Sequence, residues 1–169
     1  MPSELSTLAA DIAALLKAHQ QTIAVAESST GGLISAALLA VPGASAYFLG
    51  SGVIYTAAAR RELLGISDEV MRGLKPLSES YVGLCARTVR TKLNTTWGLG
   101  ELGATGPAGT RYGNPPGFSV IAIDGPVTLQ RRIETGSDDR DANMWAFTRA
   151  ALQLLRDALA TPDGMGRSN

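Results

Sequence analysis

The chain has one cysteine, one histidine and no excess of charge, and each shortage removes a class of function. Cys85 stands alone, so no intrachain disulfide forms and no cysteine-rich zinc site can be built. His19 is the only histidine, which removes a Ser-His-Asp triad and any multi-histidine metal centre. Neither a metal nor a cofactor is expected. Fifteen Lys and Arg balance fifteen Asp and Glu; residues 1–84 carry five positive and seven negative charges, residues 85–169 ten and eight. Such a chain has no field to attract nucleic acid or an anionic membrane, and neither is expected as a partner. No run reaches the roughly 18 apolar residues of a spanning helix, and the N-terminus lacks the charged-then-apolar profile of a signal peptide. The expected location is cytoplasmic, which leaves the sequon Asn94-Thr95-Thr96 without a role.

What is present is a globular composition: 169 residues, 45% hydrophobic and 18% charged, enough for one domain with a buried core. Leu5, Leu8, Ile12, Leu15 and Leu16 fall at helical spacing and predict an amphipathic helix over about residues 4–19. A short strand, Gln21–Ala26, runs into ESSTGG and then an apolar helix that Pro42-Gly43 ends. Phe48–Thr56 reads as a strand, and AAARRELLG as a helix stopped by Gly65. Ser78 opens a further helix with Val82, Cys85, Val89 and Leu93 as its buried stripe. Trp97–Leu102 reads as a strand; Phe118–Ile123 and Val127–Thr135 read as a hairpin turned at Asp124-Gly125-Pro126. A last helix covers about residues 138–159. Alternating helices and strands followed by a hairpin predict an α/β layered domain over residues 1–160 with a mixed sheet, and a flexible tail over 161–169.

Three glycine-rich segments compete as sites. Gly98, Gly100 and Gly103 spell G-x-G-x-x-G, but they lie inside a predicted strand, and Pro107, Pro115 and Pro116 forbid the helix a dinucleotide site requires. Close strand packing is the better account. AESSTGG, residues 26–32, lies where a strand gives way to a helix, so unpaired N–H groups and the hydroxyls of Ser28, Ser29 and Thr30 gather there. One hydroxyl could serve only as a helix cap; two glycines at a helix start cost stability and tip the reading towards a ligand site. The loop of residues 103–117 is longer than most connections and offers Thr105, Thr110, Arg111, Tyr112 and Asn114 to a small polar molecule, or is an ordered surface loop. Arg140, in GSDDRDA at the start of the last helix, can pair with Asp138, Asp139 or Asp141, or reach a phosphate.

AESSTGG followed by VPGASAYFLGSGVIYTAAARRELLGI resembles the C-terminal domain family of CinA proteins, the nicotinamide mononucleotide deamidases. The GPAG loop, PPGFSVIAI and GSDDRDA match later family segments in order. The resemblance implies a three-layer α/β/α fold with a mixed sheet of about five strands, one of them antiparallel. It implies metal-independent hydrolysis of the carboxamide of nicotinamide mononucleotide to nicotinate mononucleotide and ammonia. The expected partners are then a small phosphorylated pyridine nucleotide and further copies of the chain. Carried over, Ser28 is the nucleophile, Tyr55 the site tyrosine, and Arg60 stands at the catalytic position of the family lysine. Ser29, Thr30, Gly31, Gly32, Thr105, Gly106 and Arg140 form the expected substrate-binding set, with Gly31, Gly32 and the amides around Thr30 as an oxyanion or phosphate cradle. Two positions depart from the pattern. Arg60 keeps its proton and cannot act as the base that lysine supplies, and Leu102 replaces a threonine or serine before the loop. A non-catalytic pyridine-nucleotide-binding homologue is the alternative; a DNA-linked role is disfavoured by the charge balance.

Overall fold

The computed structural model describes residues 3–165. Its centre is β1 (Ile23–Glu27), every residue of which is buried. β1 is flanked on one side by β2 (Phe48–Val53) and on the other by β3 (Trp97–Ala104), then β4 (Phe118–Asp124) and β5 (Leu129–Glu134), giving the order β2-β1-β3-β4-β5. β1 pairs parallel with both neighbours, whereas β4 runs antiparallel to β3 and β5. One strand of the five is therefore reversed, as expected for a mixed α/β sheet. The pattern follows from the connections: helical crossovers return the chain in parallel, and the 105–117 loop and the Gly125 turn do not.

Two helical layers enclose the sheet. α1 (Ser3–Ala18), α2 (Leu33–Leu39) and α5 (Arg140–Leu159) cover one face, where Leu5, Ile12, Leu16, Ile23, Val25, Trp97 and Leu99 share the larger core. The other face carries α4 (Glu79–Leu93), capped by the Ser78 hydroxyl, which accepts from Tyr81 N. It also carries α3 (Ala57–Ala59), which continues as a π-helical turn over Arg60–Leu64 and stops at left-handed Gly65. No helix among the described residues is long and apolar enough to cross a membrane.

The glycines of β3 do what close packing requires. A Cβ on Gly98 or Gly100 would stand 2.1 Å from Ala86 O and 2.5 Å from Val82 O, so the backbone of α4 lies directly on the strand. One expectation changes. Leu93 is 41% exposed and lies outside the buried stripe of α4. Residues 161–165 form a turn anchored to the body: Gly164 is buried, and its carbonyl accepts from Gln21 Nε2 at 2.8 Å. Gln21 Oε1 in turn satisfies the buried indole N–H of Trp97. The remainder of the expected tail, 166–169, lies outside the described residues.

Candidate active site

The carboxyl ends of β1, β2 and β3 open onto a cavity of about 440 Å³, within the range of small-molecule sites. β1 delivers Ser28, the segment after β2 delivers Tyr55, the first π-helical turn delivers Arg60, and β3 brings Leu102 and Gly103, near its end, to the same cavity. Thr110, Arg111 and Tyr112 of the long loop form the opposite rim, and Tyr81 of α4 forms the floor beside Arg60. Ser28, Tyr55 and Arg60, chosen from separate segments, thus line one cavity.

Arg60 is buried, and its contacts are structural. Its Nε donates to the Ile66 carbonyl at 3.1 Å and its Nη2 donates to Asp68, so the guanidinium staples the 66–68 segment to the π turn. Hydrogen bonding from Arg61, seconded by Arg60, holds the Asp68 carboxyl below its ordinary range. Burial pushes the Tyr81 hydroxyl and the neighbouring Cys85 thiol each up to about 12. Neither group ionises at neutral pH, so this wall of the cavity offers no base and no thiolate.

Arg140 is the first residue of α5, whose cap is the Asp139 carboxylate accepting from Ala142 N at 3.0 Å. It pairs with none of the nearby aspartates. Its Nη1 donates to the Gly106 carbonyl at 2.9 Å and its Nη2 to the Tyr55 hydroxyl at 3.2 Å, tying the long loop and α5 to the tyrosine. Arg111 lies 4.9 Å from the centre of the Tyr112 ring and donates to its hydroxyl. Among the described residues neither arginine has an ion-pair partner.

The turn between β1 and α2 differs from the expected anion cradle. Thr30 and Ser29 are buried, and their polar groups face Glu101, a side chain on the inner face of β3. Ser28 N and Thr30 N donate to Glu101 Oε2 at 3.0 and 3.1 Å, and the Ser29 hydroxyl donates to Oε1. Glu27 takes the next set: Gly32 N, Ile34 N and Ser35 N all donate to it, at 2.9–3.2 Å. Gly31 N turns back to the Ser28 carbonyl. These amides are spent on two protein carboxylates, so they are not offered to a substrate oxyanion or phosphate. Gly31 and Gly32 serve geometry instead, at φ +63° and +104°.

Thr105 and Gly106 are likewise buried scaffold. Asn143 Nδ2 donates to the Thr105 carbonyl at 2.8 Å, and a Cβ on Gly106 would stand 2.5 Å from Asp138 O. They fix the loop against α5 and reach the site through Arg140. Glu101 is the residue that sequence reasoning missed. Its signal was a lone carboxylate inside the otherwise uncharged run WGLGELGA. Among the described residues no group of three or more His, Cys, Asp or Glu could hold a metal ion.

Comparison with known proteins agrees with this architecture. The family model of the CinA C-terminal domain matches residues 5–159. A CinA-like protein of Gloeobacter violaceus is 38% identical over 162 residues, covering 95% of this chain and 38% of its own. A CinA-like protein of Desulfosudis oleivorans is 38% identical over 153 residues, covering 90% and 37%. The chain thus spans less than two-fifths of the length of these curated relatives. The crystal structure of competence damage-inducible protein A from Klebsiella pneumoniae superposes with a TM-score of 0.87 at 26% identity, covering 94% of this chain and 98% of that one. The competence/damage inducible protein of Agrobacterium tumefaciens gives 0.85 at 27%, covering 92% and 95%.

Proposed function

Because this chain belongs to the CinA C-terminal domain family, we propose that its cavity binds a small phosphorylated pyridine nucleotide and hydrolyses the carboxamide, with Ser28 as nucleophile. The supporting observation is the convergence of Ser28, Tyr55 and Arg60 on one cavity that Arg111 also lines, with Arg140 bonded to the Tyr55 hydroxyl; among the described residues neither Arg111 nor Arg140 has a carboxylate partner. Tyr55, Tyr81 and Tyr112 give that cavity aromatic walls suited to a cationic pyridinium ring. Arg111 and Arg140 are the forks for its phosphate. In the reaction Ser28 Oγ attacks the amide carbon and the C–N bond breaks. Ammonia leaves carrying the serine proton, and water then releases the acid from the acyl-serine.

The same reading includes a cytoplasmic location and self-association. The latter is supported by β2, an open sheet edge without a charged residue, on which Leu49 and Val53 are exposed.

A specific observation favours a second reading, a binder without turnover. Arg60 cannot deprotonate Ser28, and Leu102 brings no hydroxyl to the cavity. Ammonia release from nicotinamide mononucleotide, measured beside a binding titration with the same compound, tests both. Release that Ser28→Ala abolishes establishes the amidohydrolase. Binding without release establishes the binder, and absence of both refutes the site.

A further inference from the structure

We propose that Glu101 is the neutral member of a buried pair of carboxylates that shares one negative charge, and that in this form it positions Ser28. Only the consequence for Ser28 as a nucleophile rests on the amidohydrolase reading; the charge state of Glu101 stands apart from it.

The pair arises from strand register. β1 and β3 are parallel, with Ala26 opposite Gly100 as their last paired residues. Glu27 and Glu101 follow one step later, on the face that carries Val25 and Leu99 into the core. Both are fully buried, and neither joins an ion pair among the described residues. Among the described residues the other groups that bond or adjoin them are uncharged. α2 brings Ser35, β4 brings Ser119, and α5 brings Met144 and Phe147 to Gly31 and Gly103 beside the turn. Two adjacent carboxylates without a cation do not both ionise in such a place.

Counting protons decides which one stays charged. Glu27 receives three N–H groups, with the Ser35 hydroxyl at 2.5 Å and the Thr30 hydroxyl at 2.7 Å. That shell suits an anion. The Thr30 oxygen also lies 3.0 Å from Glu101 Oε2, but its single proton is already directed to the closer Glu27. The Ser119 hydroxyl lies 3.1 Å from the Leu102 carbonyl and 3.3 Å from Glu101 Oε1, and its proton belongs to the carbonyl. An ionised Glu101 would face two oxygen lone pairs with nothing between. A proton on its Oε1, directed to the Ser119 oxygen, removes one of these two conflicts, while Oε1 still accepts from the Ser29 hydroxyl and Oε2 accepts from Ser28 N and Thr30 N. Burial acts in the same direction, raising the Glu101 carboxyl above its ordinary value against the pull of its Ser29, Ser28 and Thr30 hydrogen bonds. The neutral acid thereby holds the backbone of Ser28 at the cavity without placing a second charge behind the reacting amide.

The test uses the full chain and Glu101→Gln, whose carbonyl accepts and whose amide donates where the neutral acid does both. At pH 7 the wild type shows an infrared carboxylic-acid band that Glu101→Gln lacks. In the wild type the Ser28 and Thr30 amide resonances ignore the ordinary glutamate range near pH ~4.3, shift together at higher pH, and do not shift in Glu101→Gln. The sign of the stability change follows. A folded-state pKa above the unfolded one gives stability that is present at low pH and lost as pH rises towards the folded value. Relative to Glu101→Gln, the wild-type folded-to-unfolded ratio therefore falls by up to about tenfold per pH unit in that window. Amides that titrate near pH ~4.3, or no acid band at pH 7, overturn the proposal. With nicotinamide mononucleotide as substrate, Glu101→Leu lowers kcat about tenfold or more with KM little changed, and Glu101→Gln rescues it. Loss in KM alone, or no rescue, overturns the positioning role. A wild type that releases no ammonia refutes the amidohydrolase reading, and the amide titration still decides the state of Glu101.

Discussion

Replacing Arg60 by lysine separates two jobs that the position cannot do at once. The buried guanidinium now holds the Ile66 carbonyl through Nε and Asp68 through Nη2. A lysine has one nitrogen on a flexible stem and cannot reproduce that fork. Leaving the Ile66 carbonyl without its donor costs about 1–3 kcal/mol. At about 2–4 °C per kcal/mol for a chain of this length, the melting temperature of Arg60→Lys falls by about 2–12 °C. Activity moves the other way. An amine able to shed its proton in the cavity that Ser28 lines supplies the missing base, a gain of about 10²–10⁴ in rate. Asp68 opposes the gain by favouring the ammonium, so adding Asp68→Asn to Arg60→Lys increases the rate further. Scanning calorimetry reads the first effect and ammonia release from nicotinamide mononucleotide reads the second. An unchanged melting temperature would refute the stapling role of the fork. An unchanged rate, in the single and the double variant alike, would show that the serine proton is not what limits this site.

Three further outcomes follow from the same geometry. Arg140→Ala reduces the rise in melting temperature that nicotinamide mononucleotide produces, while the unliganded protein melts within about 2 °C of wild type because the side chain is exposed; nicotinamide without its ribose phosphate gives little rise in either protein. Gly98→Ala places a methyl group 2.1 Å from Ala86 O, and urea titration should show a loss of at least about 1–3 kcal/mol as α4 is forced off β3. Gln21→Leu removes the acceptor of the Trp97 indole and the donor to Gly164 O at once, so its denaturation midpoint falls by the equivalent of about 1–3 kcal/mol.

Periodicity made the frame legible. The apolar positions of α1, the alternation of helices with strands, and the Asp124-Gly125-Pro126 turn each carry a local signal of the kind that backbone geometry imposes. The β3 glycines were legible too, because prolines downstream excluded the helix that a nucleotide motif needs. Leu93 departs from its stripe because spacing marks a helical face but does not say what covers it: beside Leu93 lies Gly50 of the edge strand β2, which has no side chain to bury it. The hydroxyls of ESSTGG were harder. A Ser or Thr at a helix entrance looks the same whether it faces a ligand, caps the helix or supports a buried acid. Only the register of β1 against β3, a non-local fact, brings Glu101 beneath them. Local sequence cannot carry that information.

Filling the helix entrance with carboxylates has a consequence for how this chain would recognise a phosphate. Backbone amides at a strand–helix junction ordinarily supply an anion site through their partial positive charge. Here those of Thr30, Gly32, Ile34 and Ser35 already serve Glu101 and Glu27. A second anion brought to the same amides would meet the negative charge of the pair and compete for donors already in use. Recognition of a phosphorylated ligand therefore falls to side chains: Arg111 lines the cavity, Arg140 reaches it through the Tyr55 hydroxyl, and neither bonds Glu27 or Glu101. Their position sets the orientation on the proposed reading: the phosphate lies outward at the arginines, and the carboxamide points inward to Ser28. An arrangement that binds through exposed guanidinium groups is screened by salt more than one that binds through buried amides. Affinity for nicotinamide mononucleotide should accordingly fall as ionic strength rises, and Arg140→Ala should flatten that dependence. A salt-independent affinity would return the phosphate to the backbone of the turn and overturn the orientation.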